Sequence, residues 1–328
     1  MNQEPFISVV IPVKNEAKIL SRCLNSLFAL DYPKDRFEVI VSDGMSCDGT
    51  KELALKSGAL VVANPGEIVS SGRNAGYDVS RGELVAFTDA DCVFDYGWLK
   101  NSLKYFQDPS IAGVGGLTLS PKESTAFEKA IDGIFTLAES FQATAHLKDK
   151  RVFEFVRDIP GCNAIYRKDA LEKVMPVDEG LLTAEDVWMN FCIRRAGFKL
   201  AFAPDVVLWH YRRNSPKRFM RQIYRFAVGR AQVGKKSAEL LNPLHLVLAS
   251  GLPMILAGFV YALVSGHLAI FLALGLILIS GLSILVLIRQ KSVAVALNSC
   301  LAFLIFIVFW SAGFLRETIF PLQDARGK

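Results

Sequence analysis

At 328 residues, with 52% hydrophobic content and a mean hydropathy of +0.31, the chain is too apolar for an ordinary soluble enzyme of its size. Its six cysteines form no CxxC pair and no zinc-finger spacing with histidine, which excludes a zinc ribbon and leaves reduced, mostly buried thiols as the expectation. The net charge of +5 is concentrated between Tyr211 and Ala238.

No basic segment followed by an apolar run opens the chain. Met1 to Pro5 lead directly into Ile7-Ser8-Val9-Val10-Ile11, so the N-terminal part is expected in the cytoplasm. That run suits a strand buried on both faces. The polar loop Pro12-Val13-Lys14-Asn15-Glu16 separates it from a helix with Ile19, Cys23, Leu27 and Leu30 in periodic positions. A second strand, Phe37 to Ser42, ends in the turn-rich stretch Asp43 to Thr50 before another helix. Ala59 to Ala63 reads as a third strand, Ser71 to Ser80 as a helix and Glu83 to Thr88 as the fourth strand. Strands alternating with helices argue for a parallel sheet, in which ligands bind beyond the carboxyl ends of the strands. Pro12 to Glu16, Asp43 and Asp89 to Asp91 each follow a strand and are expected at that one edge. In Thr88-Asp89-Ala90-Asp91 the two carboxylates stand two residues apart. On extended backbone they would project to one side, where both could approach a hard divalent cation, Mg²⁺ or Mn²⁺, carrying a diphosphate.

Beyond Asp91 a strand at Gly113 to Leu119 precedes a helix from about Ser124 to His146. Then come the segment Gly161 to Arg167, a helix Glu185 to Ala196, and a closing stretch Lys199 to His210. No GxGxxG follows the first strand, which disfavours a nicotinamide enzyme. From Tyr211 to Ala238 there are nine cations and no acid. Phe219, Ile223 and Phe226 fall opposite Arg218, Arg221 and Arg225, the pattern of a helix at an anionic membrane surface, and no nucleic-acid partner is expected. From Pro243 to Leu315 the only formal charges are Arg289 and Lys291, which divide the region into apolar runs of about 20 residues, long enough to cross a bilayer. Three spans are expected, near 244 to 264, 268 to 288 and 293 to 315. The uncharged Ser265-Gly266-His267 and the cationic Arg289-Gln290-Lys291 place the second connection in the cytoplasm, for a multi-pass protein of the cell membrane. The tail 316 to 328 would then lie outside, with Arg316, Arg326 and Lys328 against the positive-inside rule, unless the third run re-enters or lies in the interface.

Five segments occur in order: Ser8 to Glu16, Val41 to Thr50, Gly72-Arg73-Asn74-Ala75-Gly76, Thr88-Asp89-Ala90-Asp91 and Thr183-Ala184-Glu185-Asp186. Together they resemble family 2 glycosyltransferases, inverting enzymes of the GT-A fold that use nucleotide sugars, and the chain is most similar to membrane-bound members that build lipid-linked glycans or exopolysaccharide repeats. The resemblance covers roughly residues 6 to 226. It implies an α/β, Rossmann-like, mostly parallel catalytic domain over 1–211, a basic amphipathic juxtamembrane segment over 212–242, about three transmembrane helices over 243–315, and the tail 316–328. It also implies donor contacts from Pro12, Glu16, Asp43, Arg73, Asp89 and Asp91, with Arg73 meeting the donor phosphates. Asp89 and Asp91 would hold the metal, and His210 would add a ligand or a phosphate contact. Asp186 matches the catalytic base, with Glu185 the fallback. Gly161 and Asn163 match the acceptor-side loop.

Gln222 and Arg225 sit in a sequence resembling the QxxRW signature of processive synthases, with Phe226 where Trp is expected. They are read as acceptor or diphosphate contacts, with weak support for processivity. The implied reaction moves a sugar from a nucleotide-sugar donor to a polyprenyl-linked or glycan acceptor at the bilayer. The alternatives are a processive polysaccharide synthase, a polyprenyl-phosphate sugar synthase and a non-catalytic sugar-nucleotide-binding subunit.

Overall fold

The structure is a computed structural model that describes residues 4–140 and 152–322. In chain order the elements are β1 (Ile7–Val13), α1 (Ala17–Phe28), β2 (Phe37–Asp43), α2 (Thr50–Lys56), β3 (Leu60–Ala63), α3 (Val69–Asp78), β4 (Leu84–Thr88), β5 (Cys92–Phe94), α4 (Trp98–Ser102), β6 (Ile111–Leu119), α5 (Ala126–Ser140), β7 (Glu154–Val156), β8 (Asn163–Arg167), α6 (Lys168–Leu171), α7 (Glu185–Arg195), β9 (Lys199–His210), α8 (Pro216–Lys236), α9 (Pro243–Val264), α10 (Leu268–Gln290) and α11 (Val293–Ile319). They form two compact units, one of residues 4–121 and 152–211, the other of 122–140 and 212–322.

The first unit is built on a sheet with strand order β3-β2-β1-β4-β8-β6-β9-β5, with β7 on β9. β1, β2, β3 and β4 pair in parallel, β8 runs against both β4 and β6, and β9 returns parallel to β6. The alternation of β1 shows why its apolar run is continuous. Val9 and Ile11 enter one core with Leu20 and Leu24 of α1, while Val10 enters the other with Met189 and Ile193 of α7. Because the parallel strands share a direction, Val13, Asp43 and Thr88 end at one edge of the sheet. Reversed β8 brings its first residue, Asn163, opposite Thr88, and β5 sets Cys92 opposite His210. The edge that parallel topology assigns to ligands therefore also collects residues far along the chain.

The expected strands and helices are present with shifts of up to two residues, except that the third apolar helix runs four residues further, to Ile319; the short β5, β7, α4 and α6 and the antiparallel role of β8 were not foreseen. The expected helix from about Ser124 to His146 is seen as Ala126–Ser140, and its remainder lies outside the described residues. It clusters in the second unit, away from the 1–211 span it was assigned to. There Phe127, Ala130, Ile131 and Ile134 of α5 pack with Phe219 and Ile223 of α8 and with Ile305, Phe306, Trp310 and Phe314 of α11. Phe219 and Ile223, the apolar face read as membrane-facing, are thus fully covered by protein, whereas Phe226 stays 38% exposed.

In the second unit α9, α10 and α11 are each long and apolar enough to cross a membrane. Pro253 inside α9 has no N–H for the carbonyl of Ala249, and the Ser311 hydroxyl on α11 donates to that carbonyl instead. Ser311 Oγ also accepts from the Leu252 N–H at 3.2 Å. At the far end of α11, buried Glu317 pairs with Lys235 of α8 at 2.9 Å.

Candidate functional site

The loops after β1 and β2 are stitched together along the ligand edge. Asn15, with φ of 55°, donates its N–H to Ser46 Oγ at 2.8 Å and accepts the Cys47 N–H at 2.9 Å. The Glu16 N–H donates to Thr50 Oγ1 at 2.9 Å. Asp43 closes β2 between them, with Oδ2 accepting the Ser46 N–H at 3.1 Å. Its Oδ1 is buried with no hydrogen-bond donor among the described residues, as is the hydroxyl of neighbouring Ser42. An orphaned carboxylate oxygen in a buried cradle costs stability unless a ligand donor meets it, and a nucleobase N–H or ribose hydroxyl supplies one. Pro12 has a packing role: a Cβ on Gly72 would stand 2.8 Å from Pro12 Cβ, so the glycine lets α3 lie on the end of β1.

The Asp89-Ala90-Asp91 geometry differs from the expected extended backbone. The Cys92 N–H bonds to the Asp89 carbonyl at 3.3 Å, folding the segment into a turn, so the two carboxylates need not share a side. Asp91 faces β9, where its Oδ1 lies 3.1 Å from His210 Nε2 and its carbonyl accepts the Tyr211 N–H at 2.9 Å. Among the described residues, Asp91, Cys92 and His210 offer ligand atoms within 4.8 Å of one another, a group without Asp89. Burial pushes the Cys92 thiol well up, and the other two members of the group offer one oxygen and one nitrogen donor. Ligand atoms about 3 Å apart suit adjacent positions in octahedral coordination with bonds of about 2.1 Å, so Asp91 and His210 fit Mg²⁺ or Mn²⁺. Asp89 lies instead where its charge acts on Arg73 and Glu185.

That pair anchors the third part of the site. Ala184 is held at φ of 65°, a left-handed conformation costly for a residue with a Cβ, and it turns the chain so that Glu185 and Asp186 open α7. Glu185 points into the protein and meets Arg73 Nη1 at 2.6 Å, both side chains being buried. Burial pushes the Glu185 carboxyl up, opposed by the Arg73 guanidinium. Asp186 stays half-buried, its Oδ2 accepting the Gly161 N–H at 2.9 Å and its Oδ1 the Val187 N–H at 2.8 Å. Gly161 belongs to a turn closed by the Asn163 N–H on the Pro160 carbonyl at 3.0 Å, and the Thr88 hydroxyl fixes the next carbonyl, of Cys162, at 2.8 Å. Sequence reasoning missed that Thr88 contact, because nothing in local sequence announces a partner 74 residues away.

One expected contact needs correcting. Asn163 is fully buried, with its side-chain oxygen accepting from Trp98 Nε1 at 2.9 Å and its amide near the Leu117 and Val206 carbonyls, so its side chain braces the sheet and does not face an acceptor. Arg73 is 3% exposed and lies against buried Glu185. Gln222 and Arg225 lie on α8 in the second unit.

Residues 8–175 match the family described as Glycosyl transferase family 2. The chain belongs to this family. Among its relatives, the glycosyltransferase AglE of Haloferax volcanii is 30% identical over 235 residues, covering 70% of this chain and 73% of AglE. A dolichyl N-acetyl-alpha-D-glucosaminyl phosphate 3-beta-D-2,3-diacetamido-2,3-dideoxy-beta-D-glucuronosyltransferase of Methanococcus voltae is 27% identical, covering 70% of this chain and 74% of that one. The mannosyltransferase PcManGT of Pyrobaculum calidifontis, solved with GDP-Man and Mn²⁺, superposes with a TM-score of 0.67 at 21% identity over 95% of this chain and 87% of its own. At that identity the likeness speaks for the fold, which is GT-A. This family 2 protein is therefore a glycosyltransferase whose mostly parallel GT-A sheet is followed by three apolar helices.

Proposed function

We propose that this glycosyltransferase moves one sugar, with inversion, from a nucleotide-sugar donor to a hydroxyl of a polyprenyl-linked acceptor at the membrane. The observation that carries the reading is the placement of Asp186: a half-buried carboxylate at the sheet edge, held by the Gly161 N–H at 2.9 Å, on the same edge as Asp43 and the Asp91–His210 pair. The named activity of the Methanococcus relative, on a dolichyl-linked sugar, supports the acceptor class. PcManGT with its bound GDP-Man and Mn²⁺ supports the donor class and a divalent ion.

In this mechanism Asp43 receives the nucleoside through its unpaired oxygen. Asp186 takes the proton from the acceptor hydroxyl as that oxygen attacks the anomeric carbon. The carbon–oxygen bond to the diphosphate breaks on the opposite face, its electron pair leaving with the phosphate, so one in-line displacement inverts the configuration. A divalent cation held by Asp91 and His210 would neutralise charge on the leaving diphosphate. The Gly161 N–H keeps one Asp186 oxygen in place, and the other faces the acceptor as it exchanges its Val187 contact for the hydroxyl.

Asp186→Asn is expected to lower turnover by about 10²- to 10⁴-fold, the usual share of positioned proton transfer, while leaving donor affinity nearly unchanged. Retained anomeric configuration, or loss of donor binding in step with turnover, overturns the assignment. Near-normal turnover in the variant would favour a phosphate acceptor, already ionised and in no need of a base. Removing divalent ions with a chelator is expected to abolish transfer, with recovery on adding Mg²⁺ or Mn²⁺; full activity in excess chelator removes the ion from the mechanism. A product bearing a single added sugar separates this reading from a processive synthase.

The domain reading that goes with it assigns catalysis to 1–211 on the cytoplasmic face and membrane attachment to the segment after it. Lys217, Arg218 and Arg221 are exposed in the first half of α8, and no acid stands in its first turn. Cations there oppose the helix dipole, a cost that anionic lipid headgroups offset.

A further inference from the structure

The ion pair of Arg73 and Glu185 is buried on both sides, and no step of the mechanism above uses either residue. Its surroundings give it a purpose. A Cβ built on Gly161 would stand 2.2 Å from Arg73 Nη2 and 2.6 Å from Nη1, so the guanidinium occupies the space any other residue at 161 would need. The Arg73 guanidinium thus lies directly against Gly161, the residue whose N–H holds Asp186. Beneath it, the Arg73 guanidinium carbon lies 5.6 Å from the centre of the Phe87 ring. At the other end, Glu185 is joined to Asp186 by one peptide bond, so the pair touches both partners of the Gly161–Asp186 hydrogen bond from behind.

The elements that carry this assembly are pinned to one another. Gly72 and Gly76 let α3 lie flat on the sheet, since side chains there would meet Pro12 and Val10. Asn74, next to Arg73, donates to the Val177 carbonyl at 3.0 Å and accepts the Val177 N–H at 2.8 Å, tying α3 to the segment before α7. Asn190 of α7 donates to the Ile159 carbonyl at 2.7 Å and accepts the Tyr166 hydroxyl at 2.7 Å, tying α7 to the strand and turn that carry Gly161. The guanidinium therefore sits at a junction of three otherwise separate stretches of chain.

We infer that Arg73 is a positioning residue: clamped by Glu185, it braces the Gly161 peptide so that its N–H holds Asp186 aimed at the acceptor hydroxyl, and it does not bind the donor phosphates. This inference rests on the reading of Asp186 as the base. Two carboxylates side by side at the start of α7 would otherwise repel and compete for the same donors. Arg73 draws Glu185 inward and leaves Asp186 to the site.

The test is a double-mutant cycle on the full-length protein in detergent, using Arg73→Lys, which keeps the charge and loses the flat face, and Asp186→Asn. Misplacing a catalytic group by about 1 Å costs on the order of 10²-fold, so Arg73→Lys is expected to lower kcat by about 10- to 10²-fold with the donor KM within about twofold. In the Asp186→Asn background the same change is expected to cost little more, because the group it aims is gone. A tenfold rise in donor KM, or equal effects in both backgrounds, overturns the inference and returns Arg73 to the donor. Should Asp186→Asn alone keep normal turnover, the base reading fails independently of the clamp. Gly161→Ala serves as the second variant: it is expected to reproduce the kcat loss of Arg73→Lys at unchanged nucleotide affinity, and a wild-type kcat in Gly161→Ala would count against the brace. Melting temperatures of all variants separate these outcomes from unfolding.

Discussion

Glu38 shows how one carboxylate ties the start of the sheet together. On β2 it accepts the Ser8 hydroxyl at 2.7 Å, the Arg81 N–H at 2.9 Å and the Arg81 guanidinium at 3.0 and 2.8 Å, and Ser8 in turn accepts the Gly82 N–H at 2.8 Å. These donors outweigh the burial that opposes ionisation, and hold the carboxyl below its ordinary value of 4.5. A depressed folded value means the stabilisation is fully present above about pH 4.5 and is lost as pH falls through the folded value. Glu38→Gln is expected to cost about 1 to 2 kcal/mol at pH 7, the share of charged hydrogen bonds that are partly solvated. Melting temperatures of the two proteins should converge as pH is lowered toward 3. A gap that is unchanged at low pH would remove ionised Glu38 from the account.

At the scale of elements, the α8–α11 packing depends on a glycine that no local rule demands. A Cβ on Gly313 would stand 2.4 Å from the Tyr224 carbonyl oxygen, and backbone cannot give way as a flexible side chain would. Gly313→Ala is expected to destabilise the protein by about 1 to 3 kcal/mol, measured by thermal unfolding in detergent. Gly275→Ala on α10, where nothing lies within 4 Å, is the control and should be silent or slightly stabilising. Equal melting temperatures for the two variants would mean that α11 does not sit this close to α8. The same contact explains why the periodicity of α8 was read too simply. Its apolar stripe is real, but α5 and α11 cover Phe219 and Ile223, while Phe226 stays 38% exposed.

For the whole molecule, the Lys235–Glu317 pair bears on membrane topology. Lys235 ends α8 and Glu317 ends α11, and Ser311 sits beside the start of α9, so the chain enters and leaves its apolar region at one level. Three complete crossings would put those ends on opposite faces. We propose that α9 and α10 cross and that α11 re-enters along α8. In α11, 44% of the most apolar stretch is covered by protein, against 11% in α9 and none in α10. This arrangement places Lys291 and Arg316 on the cytoplasmic side and removes the conflict with the positive-inside rule. Cysteines at Gln290 and Phe320 should label from the cytoplasm and one at Gly266 from outside. Labelling of Phe320 from the same side as Gly266 would restore three crossings.

What the sequence determined alone was what periodicity and order along the chain encode. Continuous apolar runs between helices meant a parallel sheet, the strand ends meant one shared edge, and apolar runs of about 20 residues meant helices long and apolar enough to cross a membrane. Asp43, Asp91 and Asp186 were legible as candidates because each stands in a short ordered motif, and their shared edge follows from strand direction. Only tertiary structure decided which groups meet. Asp91 faces His210, 119 positions later, because β5 pairs with β9, and the backbone turn that frees it for this cannot be told from a strand end in sequence. Arg73 faces Glu185 and Asn163 faces Trp98 for the same reason. A charged or amide side chain has no local preference between solvent, ligand and a buried partner, and only the packing of distant elements excludes the first two.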